Sequence, residues 1–234
     1  MATAERGMWC VIPAAGSGTR FAADRPKQYA SIAGKPVLQW TIERLLAHPR
    51  IVGAVVVIAA ADAYWPNLGP FGNKPVIPTV GGGQRSDSVL AGLRALPDSV
   101  AAEDFVLVHD AARPCVRHTD IDALIERAAV AGGGLLAAPL RDTLKRADAS
   151  GRVAATESRE SRWRAFTPQM FRRGELDSAL EAAARAGIVV SDEAMAMERA
   201  GFRPLLVEGR DDNLKLTTPA DRAQIEFLLL RGGD

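Results

Sequence analysis

Several things are scarce in this chain of 234 residues, and each scarcity narrows the possibilities. There are two cysteines, Cys10 and Cys115, far apart and in no CxxC pair. That argues against a disulfide framework or a thiolate metal site, and a reducing cytoplasm becomes the expected compartment. The three histidines, His48, His109 and His118, lack HExxH or comparable spacing, so a zinc site is not expected. Net charge is also scarce: 29 basic residues against 28 acidic ones leave +1. Bulk attraction to nucleic acid or to an acidic membrane is therefore not expected, and any anion site must be a local cluster. Long apolar runs are missing too. The first, Met8 to Ala15, contains Pro13 and meets Gly16 at once, too short for a membrane span and without a signal-peptide layout. No internal repeat or low-complexity linker is present.

What the chain does have is a hydrophobic content of 47%, enough for one sizeable core. Short apolar runs alternate with segments of helical period. Trp9–Pro13, Ile51–Ala60, Val76–Val80, Phe105–His109, Leu135–Leu140 and Pro204–Val207 read as strands, apolar enough to be buried on both faces. Val37–Leu46, Asp87–Leu96, Thr119–Ala131, Arg172–Ala186, Ser191–Ala200 and Ala220–Leu230 read as helices. Thr119 and Ser191 are cap candidates, Gly132, Gly187 and Gly201 are stops, and Thr218-Pro219 is a helix entry. This alternation predicts an α/β fold with a mostly parallel sheet and helices on both faces, in a single domain over 1–234. Ligands in such folds sit beyond the carboxyl ends of the strands. Residues 141–164 break the pattern. They are dense in charge and read as two short strands around a turn near Ala149–Gly151, either a disordered loop or an arm that packs on a second subunit.

The strand ends carry the candidate chemistry. Pro13-Ala14-Ala15-Gly16-Ser17-Gly18-Thr19-Arg20 follows the first strand. Small residues let backbone N–H groups approach phosphate oxygens, and Arg20 and Lys27 add positive charge. The two glycines alone fit a tight βα turn as well as a phosphate loop, and the two cations favour a polyphosphate. The dinucleotide pattern would need glycine where Phe21 stands, and the Walker pattern fails at Phe21, Ala22 and Ala23, which argues against a nicotinamide dehydrogenase. Gly81-Gly82-Gly83 with Ser88 permits close contact with a flat base, although by itself it reads more simply as a turn and a cap. Asp110 in His109-Asp110-Ala111-Ala112-Arg113-Pro114 is a candidate Mg²⁺ ligand, direct or through water, and otherwise a turn residue. Arg113 offers a second phosphate donor, and His109 reads as a core histidine. Arg141-Asp142-Thr143, Arg159 and Lys215 would each, alone, read as solvated surface groups, with Lys215 in a late short strand.

Taken together and in order, these segments resemble a known family. Pro-Ala-Ala-Gly-x-Gly-x-Arg with Pro26-Lys27-Gln28-Tyr29 is similar to the opening of the sugar-phosphate nucleotidyltransferases. Gly-Gly-x-x-Arg-x-x-Ser-Val from Gly81, the 109–114 segment, Arg-Asp-Thr-Leu-Lys-Arg at 141–146, Thr-Pro-Gln at 167–169 and Val-Glu-Gly-Arg-x-x-Asn-x-Lys at 207–215 resemble one branch. That branch is the 2-C-methyl-D-erythritol 4-phosphate cytidylyltransferases of the non-mevalonate isoprenoid pathway, and the likeness runs from about residue 8 to about residue 227.

The resemblance implies a three-layer, Rossmann-like nucleotidyltransferase fold with a projecting dimerisation β-arm at 141–164. It also implies a homodimer, Mg²⁺ as cofactor, and CTP and a sugar-alcohol phosphate as substrates. By position, Arg20 and Lys27 match the transition-state stabilisers. Pro13, Ala14, Ala15, Gly16, Gly18, Gly82 and Ser88 match CTP-binding positions, with Asp110 beside them. Asp110, Arg113 and Thr143 match positions near the sugar phosphate and metal, and Arg159 and Lys215 those that hold the acceptor. Arg159 is implied to act in the neighbouring subunit's site. Gly83 stands where an acidic residue is common, and Ser191 keeps the hydroxyl of a common Thr-Asp-Glu and joins the substrate-positioning set. The nearest rival is a ribitol 5-phosphate cytidylyltransferase, which would share the CTP half. Ala111-Ala112 before Arg113 and Arg141-Asp142-Thr143 tilt toward methylerythritol phosphate. A non-catalytic nucleotide-binding module predicts a degraded catalytic set, yet Arg20, Lys27, Asp110 and Lys215 are all present.

Overall fold

The first strand, β1 (Met8–Pro13), sits near the middle of the molecule, and its side chains alternate between two cores. Cys10 and Ile12 face one apolar cluster and Val11 the other, as the two-residue period of a strand requires. The computed structural model describes residues 7–16 and 25–232. Along the chain follow a 3₁₀ turn at Lys27–Tyr29, β2 (Ser31–Ile32), β3 (Lys35–Pro36), α1 (Val37–Ala47), β4 (Ile51–Ile58) and β5 (Val76–Val80). Then come α2 (Arg85–Arg94), β6 (Phe105–Val108), α3 (His118–Ala131), β7 (Gly133–Pro139), β8 (Leu144–Ala147) and β9 (Val153–Glu157). The chain continues through β10 (Trp163–Arg172), α4 (Arg173–Arg185), α5 (Glu193–Arg199), β11 (Leu205–Glu208) and α6 (Asp221–Arg231).

Seven strands form one sheet in the order β11-β7-β10-β6-β1-β4-β5. Every neighbouring pair is parallel except those of β10, which runs antiparallel to both β6 and β7. Helices α1 and α3 cover one face through Leu38, Ile42, Ile121 and Leu124. Helices α2, α4 and α5 cover the other through Val89, Leu93, Leu176 and Met197. Helix α6 closes a smaller cluster with Ile32, Val37 and Leu216. Among the described residues no helix is long and apolar enough to cross a membrane.

The sequence places the helices and six strands of the sheet within two residues, and several of its expectations need correction. Strand β10 is absent from it. Its Thr-Pro-Gln centre and its arginines hide the apolar signal, yet Phe166, Met170 and Phe171 are buried. The register between β7 and β10 shifts between Ala165 and Gln169, and this bulge takes Pro168 out of the ladder. Strands β5 and β11 are not buried on both faces, because they are the two edges of the sheet. Helix α3 starts at His118 with no side-chain cap, and α5 is capped by Asp192, which accepts from the Met195 N–H at 2.9 Å, rather than by Ser191. Lys215 lies in irregular chain after β11, not in a strand. As expected for 141–164, β8 and β9 form a two-stranded antiparallel ribbon, paired with each other and with no strand of the main sheet.

Candidate active site

The chain order reverses at β1, which has β4 on one side and β6 on the other. A crevice opens beyond the carboxyl ends of strands at such a switch point. Here it is a cavity of about 700 Å³. Its walls are the loop after β1, the loop between β5 and α2, the Asp110–Ala112 turn after β6, and the segment carrying Lys215.

The loop after β1 brings Pro13, Ala14, Ala15 and Gly16 to the cavity. Gln28, buried on the 3₁₀ turn, donates from Nε2 to the Ala14 carbonyl at 2.6 Å and to the Gly16 carbonyl at 3.0 Å. These bonds turn both carbonyl oxygens toward Gln28 and keep them from facing an anion. The next residue, Tyr29, donates its hydroxyl to Asp62 at 2.7 Å and stacks on Tyr64. The turn so anchored presents Lys27 at the cavity wall. Gly18 and Arg20 lie outside the described residues.

Opposite stand Gly82, Gly83, Gln84, Arg85 and Ser88, at the entrance to α2. Gly81 is needed for close packing, since a Cβ there would meet Ser88 Oγ at 2.6 Å and Ala15 Cβ at 2.8 Å. The Gln84 N–H donates to Asp87 Oδ2 at 3.0 Å, which fixes the first turn of α2.

Asp110 is the carboxylate among the described residues lining the cavity. Arg85 approaches its Oδ1 at 3.2 Å, while Arg113 and Lys215 approach Oδ2 at 3.2 Å and 2.9 Å. Burial alone would raise its pKa, but Arg85, Lys215 and Arg113 outweigh that and hold it far below the usual carboxylate range. Arg85 also makes a two-pronged pair with Glu193, whose side chain is 1% exposed. Burial opposes the Arg85 charge, yet Glu193 and Asp110 together raise its pKa. Behind Asp110, Thr167 Oγ1 accepts from the Asp110 N–H at 3.0 Å and lies 3.1 Å from His109 Nδ1. The other ring nitrogen of His109 is 2.9 Å from the Arg113 carbonyl. A carbonyl only accepts, so Nε2 carries the proton and Nδ1 accepts from Thr167. Burial lowers the pKa of His109 to about 4, so the ring is neutral at physiological pH. Arg113 also donates to the Asn213 carbonyl at 2.7 Å, and Asn213 Nδ2 donates to the Thr167 carbonyl at 2.8 Å. The bulge of β10 thus braces the Asp110 turn. Neither thiol fits a nucleophile's role, because burial pushes Cys10 up and Cys115 up to about 12.

The sequence profile of the family described as IspD, 2-C-methyl-D-erythritol 4-phosphate cytidylyltransferase, matches residues 8–231. The chain belongs to this family. The cytidylyltransferase of that name from Stenotrophomonas maltophilia (strain K279a) is 55% identical over 225 residues, covering 96% of this chain and 97% of that relative. A crystal structure of 4-diphosphocytidyl-2C-methyl-D-erythritol synthase superposes with a TM-score of 0.83 at 37% identity, covering 96% of this chain and all (100%) of that one. The Francisella tularensis 2-C-methyl-D-erythritol 4-phosphate cytidylyltransferase matches with a TM-score of 0.82 at 34% identity, covering 95% of this chain and 99% of that chain.

Not every residue expected from the cytidylyltransferase pattern meets in this one chain. Pro13, Ala14, Ala15, Gly16, Lys27, Gly82, Ser88, Asp110 and Lys215 line the cavity, with Arg113 bonded behind Asp110. Thr143, Arg159 and Ser191 are exposed and do not line it. Arg159 donates to the Arg141 carbonyl, and Arg141 and Arg164 both pair with Asp211 at the root of the ribbon. Reading by sequence passed over Arg85, Glu193, Gln28, Thr167 and Asn213. All five stand inside the family motifs, Glu193 as the acid of the Ser191-Asp192-Glu193 segment, so the motifs held a signal for them. Their partners are distant in sequence, and no local pattern assigns them roles.

Proposed function

We propose that this protein transfers the cytidylyl group of CTP to the phosphate of 2-C-methyl-D-erythritol 4-phosphate. The products are pyrophosphate and 4-diphosphocytidyl-2-C-methyl-D-erythritol, a step of isoprenoid precursor synthesis by the non-mevalonate pathway. The observation that carries this reading is the cavity itself, with a backbone loop and Lys27 on one wall and the Arg85, Arg113 and Lys215 cations around Asp110 on the other. Membership of the cytidylyltransferase family supplies the identity of the two substrates.

The reaction joins two anions. An oxygen of the acceptor phosphate attacks the α-phosphorus of CTP in line with the departing pyrophosphate, so one P–O bond forms as another breaks. Repulsion and alignment make up most of the barrier. The acceptor phosphate is already largely ionised near neutral pH, so no general base is required. Lys27 and Arg20 neutralise charge gathering on the α-phosphate. Gln28 keeps the loop's N–H groups available to the triphosphate, and Gly82, Gly83 and Ser88 hold the cytidine. Lys215 and Arg113 receive the acceptor phosphate. In the free protein Lys215 rests on Asp110, so the acceptor's phosphate replaces a carboxylate as its partner.

Mg²⁺ fits this site as a substrate-borne ion. Among the described residues no group of three or more His, Cys, Asp or Glu side chains could cage a metal. One carboxylate, Asp110, is what a magnesium carried by triphosphate oxygens and water needs from the protein. Both Asp110 oxygens already face cations, which favours contact through water. When bound, the ion would supply further neutralisation of the triphosphate.

The protein acts as a homodimer in the cytoplasm. The β8–β9 ribbon stands apart from the main sheet, and the cavity lacks Arg159 and Thr143 from its own chain. A partner's ribbon supplies both. The test is pyrophosphate release from CTP and Mg²⁺ with 2-C-methyl-D-erythritol 4-phosphate or ribitol 5-phosphate, with UTP and ATP as controls. Release with CTP and the methylerythritol phosphate alone is expected. Release with ribitol phosphate instead would overturn the acceptor, and silence with both, in a folded protein that binds CTP, would overturn the transfer itself.

A further inference from the structure

The back wall of the cavity depends on a side chain that does not line it. Glu193 opens α5, on the face of the sheet covered by α2 and α4, and it is buried to 1% exposure. A carboxylate so placed is costly unless it is paired. It pairs with Arg85: Oε1 takes one guanidinium nitrogen at 2.5 Å and Oε2 the other at 3.1 Å. The same guanidinium reaches Asp110 Oδ1 through Nε at 3.3 Å and through a terminal nitrogen at 3.2 Å. Arg85 is thus clamped between two acids that approach it from different elements.

The position of Glu193 is itself fixed. Its neighbours are tied to β10: Gln169 Nε2 donates to Asp192 Oδ2 at 3.0 Å, and the Ala194 N–H donates to Gln169 Oε1 at 2.8 Å. Asp192 also caps the helix. A rigid chain of bonds therefore runs from β10 through the start of α5 to Arg85 and on to Asp110.

We infer that Glu193 is a positioning residue for the acceptor half of the site: it holds Arg85 on Oδ1 of Asp110, so that Oδ2 is left for Arg113 and Lys215. Without the buried carboxylate Arg85 has one acid instead of two. Its planar fork then closes on both Asp110 oxygens, the bidentate geometry it favours, and competes with Lys215 and Arg113 for Oδ2. The two cations that receive the acceptor phosphate lose their register. The loop that meets the triphosphate is anchored separately, by Gln28 on the other wall, and the turn that holds the cytidine is fixed by Asp87 on the Gln84 N–H, so both keep their geometry.

The inference rests on the proposed cytidylyl transfer, and its test separates the two. Full-length wild-type, Glu193→Gln, Arg85→Gln and the double variant are compared by steady-state kinetics, by CTP binding in calorimetry and by thermal unfolding. If the wild type transfers nothing, the functional reading fails. With an active wild type, Glu193→Gln should raise the KM for the acceptor about tenfold, the scale of one charge-assisted hydrogen bond, and leave the Kd for CTP within about twofold. The double variant should be no worse than Arg85→Gln, because Glu193 acts through Arg85. Equal weakening of both substrates, no change in either, or additive losses in the double variant would overturn the inference. Should Glu193→Gln alone not fold, the double variant, which carries no unpaired charge of the pair, decides by the same comparison with Arg85→Gln.

Discussion

His109 shows how one residue ties the site to stability. It is wholly buried, with both ring nitrogens engaged in a pattern that suits only the neutral ring. Its folded pKa, about 4, lies below the ordinary histidine value of 6.5. Between those values the unfolded chain binds the proton and the folded chain does not, so stability is full above about pH 6.5 and falls as pH drops toward about 4. His48 is shifted in the same direction, chiefly by burial, and adds to the slope. Asp110 works in a lower window. Its depressed pKa contributes stability above about pH 4 that is lost only on further acidification. His109→Gln should therefore flatten, without abolishing, the fall in melting temperature between pH 6.5 and 4.5. An unchanged slope would mean that His109 is not held neutral.

Helix α2 carries both Arg85 and Ser88, so its distance from the sheet sets the width of the cavity. Gly92 makes that distance short: a Cβ there would lie 2.4 Å from Val11 Cγ1 and 2.9 Å from Val57 Cγ2. Both are fully buried valines of β1 and β4 and cannot yield. Gly92→Ala should lower stability by about 1–3 kcal/mol, as overpacking of a core does, and should weaken CTP binding as α2 lifts away. Urea unfolding and calorimetry together check this, and full stability with unchanged CTP binding would contradict it. At this scale the apolar period made α2 legible, but its Arg85 start and the closeness of Gly92 to Val11 and Val57 were not. Strand β10 was illegible for a different reason. Its bulge at Phe166–Pro168 places polar residues where a strand pattern expects alternation, and those same polar residues brace Asp110.

At the scale of the whole molecule, Thr143 and Arg159, from the segment that carries the ribbon, do not line the cavity of their own chain. Arg159 lies on the loop after β9 and bonds the Arg141 carbonyl rather than the cavity. If each ribbon completes the partner's site, two inactive variants should rescue one another. In a refolded equal mixture of Arg159→Ala and Lys27→Ala proteins, half the dimers are mixed, and each mixed dimer holds one intact site of two. The expected activity is about a quarter of wild type. No recovery in demonstrably mixed dimers would place Arg159 in its own chain's service.

By itself the sequence determined what is local. The periods of its apolar residues marked helices and most strands, its glycines and prolines marked the turns, and its ordered motifs singled out the loop after β1, Lys27, Asp110 and Lys215. Those features depend on neighbours a few residues away, so a linear reading can find them. Only the tertiary structure decided that β10 runs antiparallel through the middle of the sheet, and that Arg85 meets Glu193 across a separation of 108 residues. The order of strands brings such pairs together, and a buried charge is tolerated only where its partner arrives from a distant element. No local pattern in the chain records that meeting.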